Sequence, residues 1–177
     1  TSMKIAVCGS SSVTDEKIAK KAFEIGKEIA ENGVLLLTGS GKGYPYEAVK
    51  GANSVNGKVF GVSPAEDEEE HISRYSFPIE GFTEIEYTSL GVPGRNFPLV
   101  KEADAIIIIS GQIGSLNEFT IAFHENKPVG ILKNSGGLTI IIEEIVEICN
   151  KRGEKENIVY SSEPRELVKK VLDKLNQ

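Results

Sequence analysis

Apolar residues along the 177-residue chain fall into two rhythms. Unbroken apolar runs cover residues 4–8, 34–38, 59–62, 105–109 and 128–132, and each predicts a short buried strand. Between them the spacing becomes helical. Ile18, Ala22, Ile25 and Ile29 predict a helix over 15–32, with Gly33 beyond its end as a C-cap. A small-residue helix is expected over about 45–55, another containing 95–101, and another starting near Ser115. Leu138, Ile141, Ile142, Ile145 and Ile148 mark a further helix, and Leu167, Val168, Val171 and Leu175 a last one. Residues 83–87 alternate like a strand, and 158–160 suit a short one. The acidic stretch 64–78 has little periodicity and is expected to be a mobile lid. Apolar strands without polar alternation, separated by helix lengths, indicate an α/β fold. The expected form is a Rossmann-like, doubly wound, mainly parallel sheet with helices on both faces, in a single domain over residues 1–177.

Ligands in such sheets bind beyond the carboxyl ends of the strands, and three glycine-bearing turns fall there. The first is Gly9, Ser10, Ser11 and Ser12. The second is Gly39, Ser40, Gly41, Lys42 and Gly43. The third is Gly111, Gln112, Ile113, Gly114 and Ser115. None has P-loop spacing or the dinucleotide fingerprint. Each alone suits a tight turn, but three on one rim point to a phosphate-bearing ligand, which backbone N–H groups and a helix N-terminus favour. Glu118 follows the third turn, and Ser115 to Glu118 also matches a capping box in which Ser115 caps the helix. Arg95 stands at the start of a helix, which it precedes or is the first to enter, where a cation opposes the helix dipole unless an anion lies nearby. Lys42 suits either phosphate contact or plain solvent exposure. His71 and His124 are expected to be solvated or capping, and neither has metal-ligand spacing.

Composition narrows the classes. The apolar share is 40% and the charged share 26%, as in globular chains. A net charge of −6 disfavours a nucleic-acid partner. Two cysteines make neither a disulfide framework nor a zinc site, and no run approaches the ~20 residues of a membrane span. A cytoplasmic protein without metal or resident cofactor is expected. Thr1 and Ser2, ahead of Met3, suit an expression remnant.

The stretch Ser110-Gly-Gln-Ile-Gly-Ser-Leu-Asn-Glu118 resembles the PGGxGTxxE motif of the LOG (Lonely Guy) superfamily, long labelled possible lysine decarboxylases. Gly111, Gly114 and Glu118 match, Ser115 stands for the threonine, and Ser110 and Gln112 depart. Arg95 is similar to the family's arginine, and residues 38–43 with 47–52 to its second glycine loop and helix. The resemblance runs from about residue 4 to 133 and is closer to the branch that includes a molybdenum-cofactor carrier. It implies a homodimer that binds a small phosphorylated ligand such as a nucleoside monophosphate. It also implies hydrolysis of the N-glycosidic bond of a nucleoside 5′-monophosphate to base and ribose 5-phosphate. Glu118 would stabilise the oxocarbenium-like transition state and Arg95 would orient it. No residue suggests itself as the acid for the leaving base. The alternative is a non-catalytic carrier or sensor of a phosphorylated nucleotide or pterin. Helices bearing Phe119 and Phe123 suit either a dimer surface or packing on the sheet.

Overall fold

The computed structural model describes residues 2–177; Thr1, half of the expected expression remnant, lies outside the described residues. Seven strands form one sheet in the order β4-β3-β2-β1-β5-β6-β7. They are β1 (Lys4–Gly9), β2 (Leu35–Thr38), β3 (Val59–Ser63), β4 (Glu84–Tyr87), β5 (Ala105–Ile109), β6 (Val129–Leu132) and β7 (Ile158–Ser161). Every pairing is parallel. The helices are α1 (Glu16–Glu31), α2 (Tyr44–Asn53), α3 (Glu68–Ser73), α4 (Gly91–Glu102), α5 (Ile113–His124), α6 (Ile142–Cys149) and α7 (Pro164–Leu175). This is the expected doubly wound α/β architecture.

The central strands look uniformly apolar because both faces are buried, yet they alternate all the same. Ile5, Val7, Ala105, Ile107 and Ile109 join one core with α1, α2 and α7. Ala6, Cys8, Ile106 and Ile108 join the other, with Leu99 of α4, Phe119 and Phe123 of α5 and Val146 of α6. Phe119 and Phe123 therefore pack on the sheet.

The chain leaves β1 for one face and β5 for the other, so the crevice between their carboxyl ends is the topological switch point of the sheet. Gly9 pairs with Ile109 there, so the first and third glycine turns start side by side. The second turn is tied to the first, because the Tyr44 N–H donates to the Ser10 carbonyl at 3.0 Å. Gly43, at φ 82°, lies so close to Ser10 and Ser11 that a Cβ would collide with their backbone.

Five expectations need correction. Residues 64–78 are held rather than loose. Within them His71 is fully buried, not solvated, and its ring bonds the Ser63 hydroxyl at 2.8 Å and the Pro78 carbonyl at 2.9 Å. The helix expected from Leu138 to Ile148 is divided into a 3₁₀ turn over Gly137–Ile140 and α6. Arg95 neither precedes nor begins α4 but lies inside it, 8% exposed, because burial of its neighbours Asn96, Leu99 and Val100 carries the helix back through Gly91 and Pro93. Ser115 does not cap α5. The cap is Gln112, which puts Ser115 in the third helical position and Glu118 in the second turn, out of reach of a capping box.

Candidate functional site

A cavity of about 260 Å³ opens at the β1 end of the switch point. Of the residues expected to form a site, Gly9, Ser11, Gly39, Gly41, Lys42, Arg95 and Glu118 line it. Residues that the sequence did not single out complete the wall: Val7, Cys8, Pro45, Phe77 and Val92. Ser10, Ser40, Gly43 and the whole turn from Gly111 to Ser115 stay outside the lining. A larger groove of about 590 Å³ between α1 and α7 lies away from the strand ends and is walled mainly by charged side chains such as Glu28, Lys169 and Asp173.

Position and burial set the chemistry. Glu118 projects from α5 and Arg95 from α4 toward the end of β1, where Cys8 points to the same face. The Asn96 side-chain N–H donates to Asn117 Oδ1 at 2.9 Å and ties the two helices beside that point. Glu118 is only 8% exposed, and burial pushes its carboxyl up to about 7, against the opposing pull of the Arg95 charge and the Cys8 thiol. Burial likewise pushes the Cys8 thiol up, helped by the Glu118 charge, so it is not a poised nucleophile. Burial lowers the affinity of Arg95 for its proton, and the Glu118 charge restores part of it.

Arg95 does more for the scaffold than its expected orienting role implies. Nη1 donates to the carbonyls of Gly39 and Val62, and Nε to Asn96 Oδ1 at 3.3 Å. The guanidinium lies flat enough against Gly39 that a Cβ there would overlap it, so a glycine is required for contact rather than for a turn. It thereby joins the ends of β2 and β3 to α4. Nη2 has no partner among the described residues and is not sealed from solvent, in a side chain that lines the cavity.

The third turn is held from behind. The Ser110 N–H donates to the Ser135 hydroxyl at 2.8 Å, and the Gly111 N–H to the Ser10 hydroxyl at 3.3 Å. The Leu138 N–H closes on the Gly111 carbonyl at 2.9 Å. These two turn amides are thus engaged internally. The first turn of α5 still leaves the N–H groups of Ile113, Gly114 and Ser115 without intrahelical acceptors, and Gln112 makes no side-chain cap bond. Ser110 has φ 56°, a value proline's ring forbids. The departure from the PGG sequence is therefore one of backbone path as well as side chain. Gln112 is exposed and does not crowd the turn.

The most poorly legible part of the site was Phe77. Its ring stands over Gly41, and its N–H donates to the His71 carbonyl at 3.0 Å, so the buried histidine positions the cavity wall. An aromatic residue surrounded by acidic ones was the available signal. Cys8 was legible in principle as the last inward residue of β1 on the α4 and α5 face.

Solved structures share this fold. The Moco carrier protein of Chlamydomonas reinhardtii superposes with a TM-score of 0.81 at 22% identity, covering 99% of both chains. The molybdenum cofactor binding protein of Rippkaea orientalis gives 0.78 at 24% identity, covering 97% of this chain and 98% of that one. At such identities the likeness establishes the fold. An uncharacterized protein of Archaeoglobus fulgidus is 31% identical over 131 residues, 74% of this chain and 80% of that protein. The family profile LDcluster4, described as the SLOG cluster4 family, matches residues 2–168. With that match spanning nearly the whole chain, the protein belongs to the SLOG cluster4 family.

Proposed function

We propose that this protein binds a small phosphorylated heteroaromatic molecule, a pterin of the molybdenum-cofactor type or a nucleotide, at the switch-point cavity, and carries or senses it without cleaving it. The observation that carries this reading is the use made of Arg95. Its Nε and Nη1 hold Asn96 and the carbonyls of Gly39 and Val62, so it builds a binding site rather than steering Glu118 through a reaction. Support comes from the cavity lining, in which Glu118 is the one carboxyl group among the described residues, where glycoside cleavage ordinarily employs two. The shared fold with proteins described as Moco carriers and binders points the same way. The free N–H groups of α5 and the exposed Lys42 would receive the phosphate.

A second reading, nucleoside 5′-monophosphate hydrolysis, is favoured by one feature. A carboxyl near 7 in a cavity is suited to proton transfer at neutral pH. The two separate in one experiment: the protein is incubated with molybdenum cofactor and with a panel of nucleoside 5′-monophosphates, and bound ligand and free ribose 5-phosphate are both measured. Intact, retained ligand supports the carrier. Ribose 5-phosphate that disappears in Glu118→Gln installs the hydrolase instead.

We also propose a homodimer. Phe97, Ile113, Ile140 and Ile148 are 55–80% exposed on the elements covering the α4, α5 and α6 face. Isolated exposed apolar residues are ordinary, but four on one layer suit a partner surface.

A further inference from the structure

Two polar groups in the cavity keep hydrogen-bonding capacity to spare, and their pairing is specific. The Glu118 carboxyl is 8% exposed and receives no N–H or O–H bond from the described residues; its hydrogen-bond partner is the weakly donating Cys8 thiol. Among the described residues no side-chain oxygen or nitrogen is both sealed from solvent and unbonded, so the Glu118 oxygens open into the cavity. A buried carboxylate has room for about four hydrogen bonds, and leaving them unmade is costly. Arg95 Nη2, in a side chain that lines the same space, is a free donor. Apolar groups close the sides: Phe77, Pro45 and Val92.

We infer that the cavity reads the edge of a 2-amino-oxo heteroaromatic ring, the edge shared by guanine and pterins, with Glu118 accepting and Arg95 donating. This rests on the carrier reading above and names the ligand's ring. That edge presents, in order, a carbonyl acceptor, a ring N–H and an exocyclic amino group. The carbonyl meets Arg95 Nη2. The ring N–H and amino N–H meet the two oxygens of Glu118, a bidentate match. The ring lies against Phe77, whose position over Gly41 gives it a fixed face for stacking.

Size supports the assignment. At about 260 Å³ the cavity lies near the low end of the roughly 300–1,000 Å³ usual for small-molecule pockets and has room for a bicyclic ring. The phosphate-bearing tail would leave past Ser11 and Lys42, the exposed part of the rim. Adenine is disfavoured for a physical reason. It offers a lone pair where Glu118 has another and an amino group where Arg95 has donors. Hypoxanthine keeps the carbonyl and ring N–H but loses the amino group.

The test is isothermal titration of the purified protein with GMP, IMP, AMP and 6-hydroxymethylpterin, in parallel with an assay for released base. GMP, the pterin or both should bind at least about tenfold more tightly than AMP, the discrimination expected of one bidentate pair, with IMP between. GMP and the pterin, compared with each other, tell a guanine site from a pterin site. Glu118→Gln, its folding checked by thermal unfolding, should bring the GMP-to-AMP ratio close to one. Phe77→Ala should weaken all ring ligands alike and leave the ratio unchanged. Equal binding of GMP and AMP, or tighter AMP, overturns the ring assignment and leaves the carrier intact. Release of base overturns the carrier reading even if discrimination persists. No binding of any probe overturns both.

Discussion

At the scale of single residues, Glu118 dominates the energetics of the cavity. Its carboxyl holds a proton up to about pH 7 when folded, against an ordinary value of 4.5. Between those values the folded chain keeps a proton that the unfolded chain has released, so this group makes stability fall as pH rises through that window. Above it the penalty is complete, on the order of 3 kcal/mol. Glu118→Gln removes it, and the variant should unfold about 5–10 °C higher than the parent at pH 8 while the two coincide near pH 4.5. Equal melting temperatures at pH 8 would show that the carboxylate is stabilised by partners the cavity lacks. Gly39 makes the opposite prediction. Its Cα is covered by the Arg95 guanidinium, so Gly39→Ala should destabilise by about 1–3 kcal/mol, as overpacking does, measured by chemical denaturation. Arg95 and Glu118 were both legible from their turns. Their burial was not, because a charged residue near a helix start looks the same in sequence whether solvent or a neighbouring strand receives it.

At the scale of elements, two side chains hold the pieces that shape the cavity. His71 joins β3 to the segment leading to Phe77 through Ser63 and Pro78, and its ring meets Phe77 and Tyr87 edge-on. His71→Ala should loosen 64–78, raising its hydrogen exchange and protease sensitivity, while β1 and β5 keep their protection. Uniform loss of protection across the sheet would mean that the histidine supports the whole core instead. Lys127 caps the other end of α4, where its ammonium donates to the carbonyls of Val100, Lys101 and Ala103 at 2.6–2.9 Å. A cation there answers both the helix dipole and the orphan carbonyls. Lys127→Met should cost about 1–2 kcal/mol in denaturant unfolding. The strands were readable because each is an apolar run with helical spacing on either side. The helix starts were less so. Gly91, Pro93 and Gly94 have turn chemistry, and Gln112 lacks the short oxygen-bearing side chain that usually marks a cap, so tertiary packing rather than local preference set where α4 and α5 begin. The order of residues 64–78 is hidden in sequence because it depends on one buried histidine that bonds the end of β3 before it and a loop carbonyl after it, and nothing in the local pattern marks His71 as buried.

At the scale of the whole molecule, the order of the strands explains why chemistry gathers where it does. The apolar runs dictate a covered parallel sheet, and the reversal of direction between β1 and β5 opens its rim beside Gly9 and Gly111. Three glycine turns on one rim were visible in sequence, but their division of labour was not. The first and third hold each other, the second packs on the first, and the wall facing a ligand combines the end of β1 and the first two turns with side chains of α2, α4, α5 and the segment before β4. The exposed apolar layer should make the protein a dimer by sedimentation, and Ile148→Glu should shift it toward monomer; a monomeric parent would refute that surface. The most direct measurement for the proposed function is incubation of the protein with molybdenum cofactor and with GMP, followed by separation of protein from free ligand and analysis of what remains bound. Intact ligand retained by the protein, and no ribose 5-phosphate in solution, is the predicted result. Free base and ribose 5-phosphate appearing at a rate that Glu118→Gln abolishes would contradict it.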